Sequence, residues 1–322
     1  MERKVGFFLS HEQFSPASLV EYAVAAEAAG FDSVWASDHF HPWQENQGHA
    51  GHAWLTLAAI GQRTSRIALG SAVTCPIYRY HPANVAQAFA TLGALYPGRV
   101  FLGLGTGEAV NELAAGGGWG PYAEREARLR EAIGLIRQLW SGEFVTHHGA
   151  FSVSNAKIYT HPPEPPPIYV AAAGPKSAAL AGELSDGWIT DCRTLLERPD
   201  VRRAFDTAAR GRDVPILVEQ YVFAGDEREA LEAARLWLFA PIADQVLSID
   251  DPRAIQRLAE ERSSPERVIE SWLISRDPAA HVAQLQALFD AGASHVAVHS
   301  AQPDQERCIE FYAREVLPAL RR

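Results

Sequence analysis

Short β-rich runs alternate with longer stretches of helical periodicity along nearly the whole chain, and no other feature restricts the possible folds so strongly. The runs fall at 5–10, 33–37, 67–73, 100–105, 168–173, 187–190, 216–223 and 295–299. Between them apolar residues recur near the 3.6-residue period, as in Leu19-Val20-Ala23-Val24 and Leu129-Ile133-Ile136-Leu139. Strands separated by helices lie parallel, because each crossover helix carries the chain back along the sheet. Eight such units predict an α/β fold of the closed (β/α)8 TIM-barrel type, as one domain over residues 1–322. An open doubly wound sheet would place a glycine-rich nucleotide turn after its first strand. That turn here reads Ser10-His11-Glu12-Gln13-Phe14 and has no glycine.

Local signals agree with this reading. Ser15-Pro16 supplies an N-cap and a first-turn proline, and Gly30 ends the same helix. Pro82 starts another helix, Pro97-Gly98 ends it, and Pro318 kinks or shortens the last one. Two segments break the repeat. Residues 161–167 (HPPEPPP) form a stiff lead-in to strand five. Residues from about 240 to 277 hold two helical patterns with no clear strand, a helical insertion after strand 7 on the face where barrels build their sites.

Composition narrows the partners. Lys plus Arg is 29 against 39 Asp plus Glu, a formal charge of −10, so no basic stripe is present to neutralise a nucleic acid and anionic membranes repel the chain. No apolar run is long enough to span a bilayer. The N-terminal apolar run 5–9 is stopped by His11 and Glu12, so it reads as a strand and not as a targeting segment. Cys75, Cys192 and Cys308 are sparse and odd in number, which points to a reducing, cytoplasmic compartment. A small molecule is the expected partner.

Every strand of a parallel barrel delivers its C-terminal end to the same mouth. The residues there are Glu12, Asp38-His39, Thr74-Cys75, Thr106-Gly107-Glu108, Ala173-Gly174, Asp191, Glu219-Gln220 and His299-Ser300. An imidazole such as His39 can take a proton from a hydroxyl, with Asp38 to fix its tautomer. Four histidines (His39, His41, His49, His52) also raise a zinc site, but later strands offer only Asp191 as a further ligand, so no metal is expected. Gly103-Leu104-Gly105-Thr106-Gly107-Glu108 lacks the last glycine of a dinucleotide fingerprint. Its glycines either cradle a flat or anionic group or serve close strand packing. Glu108, at the edge of an apolar pocket, can act as an acid, with Asn111 one turn on to position it. The small residues Ala171-Ala172-Ala173-Gly174 leave room for a planar ring or line a core layer.

Three motifs carry a resemblance: Ser37-Asp38-His39-Phe40-His41-Pro42-Trp43, Tyr80-His81-Pro82-Ala83 through Ala86-Gln87-Ala88-Phe89-Ala90-Thr91, and Gly103 to Glu112. Together they resemble the luciferase-like barrel superfamily. Within it they resemble the deazaflavin-dependent branch typified by glucose-6-phosphate dehydrogenase that uses coenzyme F420. The similarity runs from Ser10 to Arg321-Arg322 and includes Ser248-Ile249-Asp250-Asp251-Pro252. It implies hydride transfer from a hydroxyl-bearing carbon of a sugar, sugar phosphate or secondary alcohol to the deazaflavin. His39 is then the base, Trp43 holds the substrate, Glu108 supplies a proton to the ring and Glu12 supports the same network. Asp38, Ala72, Val73, Thr74, Cys75, Gly107, Glu108, Asn111, Ala172, Ala173 and Gly174 fall where the family holds its cofactor, and Ala72-Val73 falls where it often has a non-proline cis peptide. The family also implies a homodimer.

The departures concern the substrate. Sugar-phosphate members place a lysine after strand six and a lysine and an arginine in the insertion. This chain has Asp191-Cys192-Arg193-Thr194 there, then Arg257 and Ser271. Substrate contacts are therefore expected from His39, Trp43, Asp191, Arg193, Thr194 and Arg257, with a weakened cationic clamp. The alternatives left open are an FMN-dependent monooxygenase or reductase on the same barrel, a barrel that binds deazaflavin without turning it over, and a zinc hydrolase.

Overall fold

Strands that bury all their residues need cover on both faces, and a closed barrel wrapped by helices provides it. Residues Val100–Leu104 are buried throughout, and Ser33–Ala36 likewise. The computed structural model describes residues 2–321. Its strands are β1 (Lys4–Leu9), β2 (Ser33–Ala36), β3 (Ala68–Thr74) and β4 (Val100–Leu104). They continue as β5 (Ile168–Ala171), β6 (Gly187–Asp191), β7 (Ile216–Phe223) and β8 (His295–Ser300). Each pairs in parallel with the next, and β8 closes on β1, with Lys4 opposite His295 and Phe7 opposite Val298. This is the (β/α)8 TIM barrel that the alternation predicts.

Phe8, Trp35, Phe101, Ile189, Leu217 and Ala297 fill the barrel interior. A larger apolar core lies between the strands and the outer helices, through residues such as Leu19, Leu57, Phe89, Ile133 and Leu285. Helix Pro16–Ala29 starts where the Ser15 hydroxyl accepts the Ser18 amide and ends at Gly30 with φ of 92°. Gly103 faces the Ser71 carbonyl so closely that a Cβ would collide with backbone, which supports the packing reading for this glycine. Ahead of Pro318, residues Tyr312–Val316 widen into a π turn.

Two expectations need correction. The insertion after β7 begins well before residue 240, with helix Glu227–Ala234, and continues through Pro252–Arg262 and Pro265–Ile269. It also contains a short strand, Leu273–Ile274, paired with Val222 and Phe223 of β7. Its own apolar cluster (Trp237, Phe239, Ile242, Val246, Ile255, Trp272) seats it over the mouth. The pair His147-His148 suggests, as sequence, a solvated turn; it lies instead on Val145–His148, which forms an antiparallel hairpin with Ser152–Ala156.

Candidate active site

Glu12 follows β1 and His39 follows β2, so parallel pairing of these strands brings the two side chains together. His39 Nε2 lies 3.1 Å from Glu12 Oε1. His39 Nδ1 is 3.0 Å from the His41 carbonyl and 3.2 Å from Asn111 Nδ2. With the proton on Nε2 the ring donates to Glu12 Oε1 and Nδ1 accepts the Asn111 amide. The Ser37 hydroxyl donates to Glu12 Oε2 at 2.6 Å. Burial pushes the Glu12 carboxyl up, but the His39 imidazole and the Ser37 hydroxyl outweigh it and hold the carboxyl below its usual range.

Asn111 joins this pair to the other side of the mouth. Its Nδ2 donates to Glu108 Oε2 at 3.2 Å, while its Oδ1 accepts the amides of Phe40 and His41 at 2.8 and 3.3 Å. One amide side chain therefore pins the His39 loop and the Glu108 carboxyl. Trp43 stacks on Phe239 of the insertion at 4.6 Å and 13°, and its ring centre is 5.5 Å from that of His39.

Beside this network lies a cavity of about 800 Å³, lined by Val73, Gly107, Glu108, Ala172, Ala173, Gly174 and Glu219 among others. Gly107 adopts φ of 70°, where a side chain is strained, and its Cβ would lie about 3.1 Å from Glu112. Helix Pro175–Leu184 points its N-terminus at the cavity through Gly174, Lys176 and Ser177. Arg125 adds a second cation; its Nη1 donates to the carbonyls of Thr106 and Gly107 at 3.2 Å, and its buried Nε has no partner among the described residues. The buried Thr190 hydroxyl on the same wall is also unpartnered. Among the described residues, no group of three or more His, Cys, Asp or Glu side chains converges to hold a metal.

Other residues picked out in the sequence stand behind the wall. Asp38 accepts the Thr74 hydroxyl at 2.6 Å, the Arg79 guanidinium at 3.2 Å and the Tyr80 hydroxyl at 3.2 Å. Thr74 and Asp38 thus brace the loops, and the buried Cys75 thiol is pushed up by burial first and by the carboxylate of Glu108 second. Ala72 and Val73 are joined by a cis peptide bond. Behind Gly107, burial raises the Glu112 carboxyl to about 7 despite the Arg79 amide on its Oε2 at 2.7 Å.

The substrate set divides. Asp191 lines the cavity but caps helix Cys192–Glu197, accepting the Thr194 amide at 2.9 Å and hydroxyl at 2.6 Å. That cap buries Thr194, and Arg193 lines a separate pocket of about 320 Å³ with Gln220 and Trp272. Arg257 is exposed on helix Pro252–Arg262. The structure brings neither arginine to the main cavity. Arg125, Lys176, Thr190 and Asp244 of the cavity lining escaped sequence reasoning, although Gly174-Pro175-Lys176-Ser177 after a strand is a readable helix start.

The family follows from comparison with known proteins. Residues 3–295 match the luciferase-like monooxygenase family, and the chain belongs to it. It is similar to an F420-dependent hydroxymycolic acid dehydrogenase of Mycobacterium tuberculosis (strain ATCC 25618 / H37Rv), at 51% identity over 99% of this chain and 89% of the relative. An F420-dependent glucose-6-phosphate dehydrogenase of Nakamurella multipartita is 42% identical, with 99% and 96% covered. A solved F420-dependent secondary alcohol dehydrogenase, in complex with an F420-acetone adduct, superposes with a TM-score of 0.92 at 33% identity and full coverage of both chains.

Proposed function

We propose that this chain is an F420-dependent dehydrogenase that takes a hydride from the hydroxyl-bearing carbon of a sugar, sugar phosphate or secondary alcohol. The observation that carries the reading is the Asn111 bridge, which ties an imidazole–carboxylate pair to a second carboxyl at the rim of the main cavity. The residues present suit a planar, anionic cofactor: small side chains from Ala171 to Gly174, the left-handed turn at Gly107, and a positive end made by Lys176, Arg125 and a helix N-terminus. Among the described residues the Arg125 Nε and the Thr190 hydroxyl are donors without an acceptor, as a ligand-shaped wall requires.

When bound, the deazaflavin supplies the hydride acceptor. The His39–Glu12 pair receives the hydroxyl proton, His39 as the base and Glu12 as its hydrogen-bonded support. Trp43, backed by Phe239, holds the substrate beside that base and excludes water. Glu108 holds a proton at the cavity edge, oriented by Asn111. The reading also includes a homodimer and a cytoplasmic location. The three free cysteines suit the latter, and no helix among the described residues is long and apolar enough to cross a membrane. Light scattering on the purified chain tests the assembly.

The decisive experiment mixes the chain with oxidised F420 and follows its visible absorbance across sugars, sugar phosphates and secondary alcohols. At least one compound is expected to bleach it in stoichiometric amount. Tight binding of F420 with no bleaching by any of them would leave a carrier in place of an enzyme.

A further inference from the structure

The wall formed by β6, β7 and β8 carries a hydrogen-bonded row that the reaction as described does not use. Glu219 lines the cavity, and its Oε1 lies 2.5 Å from His299 Nδ1. His299 is 2% exposed, and its Nε2 is 2.5 Å from the Ser10 hydroxyl. Its ring is sandwiched between Phe8 and Tyr221, each 4.2 Å away, with Trp237 edge-on at 5.0 Å. A serine, an imidazole and a carboxylate in this order form a nucleophilic triad when the serine faces substrate. Here Ser10 is buried at 2% exposure and does not line the cavity, so the row points the other way: it fixes Glu219.

Hydrogen bonds run through every member of the row. Ser10 donates to Nε2, Nδ1 donates to Glu219, and the second Glu219 oxygen has no protein partner among the described residues. Asp191 lies opposite Glu219 in the β6–β7 register, and its own oxygens are occupied by Thr194. Neither carboxylate is paired with an arginine or lysine among the described residues. Arg193 and Arg257 lie elsewhere, and Arg125 and Lys176, which line the same cavity, form no ion pair with either carboxylate among the described residues.

An aromatic arc links this wall to the base. Trp237 contacts His299, Phe239 lies 5.9 Å from Trp237, and Trp43 stacks on Phe239 next to His39. This largely buried aromatic arc packs the His39 loop against the His299–Glu219 row. Resting on the dehydrogenase reading, we infer that Glu219, held by His299, is a specificity-determining residue. It accepts a hydroxyl donor from the ligand and rejects substrates with a carboxylate or phosphate near the reacting carbon. The substrate class is an uncharged alcohol with apolar flanks.

A matched pair tests this, because 2-butanol and 3-hydroxybutyrate differ by one carboxylate beyond the secondary hydroxyl. With F420 as acceptor, kcat/KM is expected to favour 2-butanol by about 100-fold, the scale at which juxtaposed like charges discriminate. In Glu219→Gln the ratio should shrink roughly tenfold, through a lower KM for the anion. The wild-type comparison needs no variant. A preference for 3-hydroxybutyrate, or an unchanged ratio in Glu219→Gln, overturns the inference and leaves the dehydrogenase reading standing. F420 affinity measured by fluorescence separates the sources of the hydroxyl: tenfold weaker cofactor binding with the ratio intact assigns Glu219 to the cofactor and overturns the substrate role. If no alcohol or sugar bleaches F420, both readings fall.

Discussion

The two mouths of the barrel each hold a half-buried histidine, and they use it in opposite ways. At the C-terminal mouth, His39 faces the Glu12 carboxylate at 3.1 Å beside the main cavity. At the N-terminal mouth, His295 faces the Ser33 hydroxyl at 2.7 Å, and that hydroxyl already accepts the Trp35 indole N–H at 2.8 Å. Ser33 keeps its own proton free to donate to His295, an arrangement that suits a neutral imidazole. Burial, helped by Lys4, drives the His295 imidazole down to about 3. This mouth also has a cavity, about 400 Å³, lined by Lys4, Phe101, Tyr169, His295 and the 165–167 prolines. A hollow and a histidine therefore do not make a site. The difference lies in the partner: a carboxylate beside an imidazole stores and moves a proton, whereas a hydroxyl locks it.

Replacing the two histidines separately breaks or confirms this contrast. His39→Ala should lower kcat/KM by about 10³-fold, the middle of the range for removing a general base, with F420 affinity nearly kept. His295→Leu should leave turnover within about twofold. Steady-state kinetics with any substrate that bleaches F420 checks both. An inactive but folded His295→Leu protein would end the distinction between the mouths.

His295 acts on stability instead. Its folded-state value is below the unfolded one, so the unfolded chain binds more protons between about pH 3 and 6.5. The contribution is fully present above pH 6.5 and is lost as the pH falls towards 3, on the order of 3–5 kcal/mol in total. His295→Leu should flatten that acid limb in urea titrations run from pH 7 to 4. An acid limb as steep as in the parent would show that other groups govern it.

The same contrast explains what the sequence reveals. All eight barrel strands were legible because each buries a nearly continuous apolar run between turn signals. The hairpin of Val145–His148 and Ser152–Ala156 was not, because its exposed residues show no alternation. The insertion's start at Glu227 was missed because its first helix packs through small residues, Ala230, Ala233 and Ala234. Glu12, His39 and Glu108 stood out because barrel geometry sends every strand end to one mouth. Arg125 and Lys176 reach the cavity from helices, where no strand end marks them. Glu219 and His299 were both visible as strand-end residues, but their contact depends on a register that sets Ala297 opposite Glu219 and leaves His299 two residues on, on the same face.

Glu112 gives the smallest and most discriminating test. It sits behind the working mouth and has the opposite sign to His295. Its carboxyl is raised to about 7 by burial, while one oxygen accepts the Arg79 amide and the other is unpartnered. The folded chain therefore binds more protons than the unfolded one between about pH 4.5 and 7. Stability from this group is complete below pH 4.5 and is lost as the pH rises through 7. Glu112→Gln keeps an oxygen for the Arg79 amide and cannot ionise. Relative to the parent it should gain roughly 1–3 kcal/mol at pH 8 and little at pH 5, measured as unfolding midpoints in urea. Equal midpoints at both pH values would mean that the Arg79 guanidinium already compensates the Glu112 charge. The working mouth would then be as electrostatically settled as the other one.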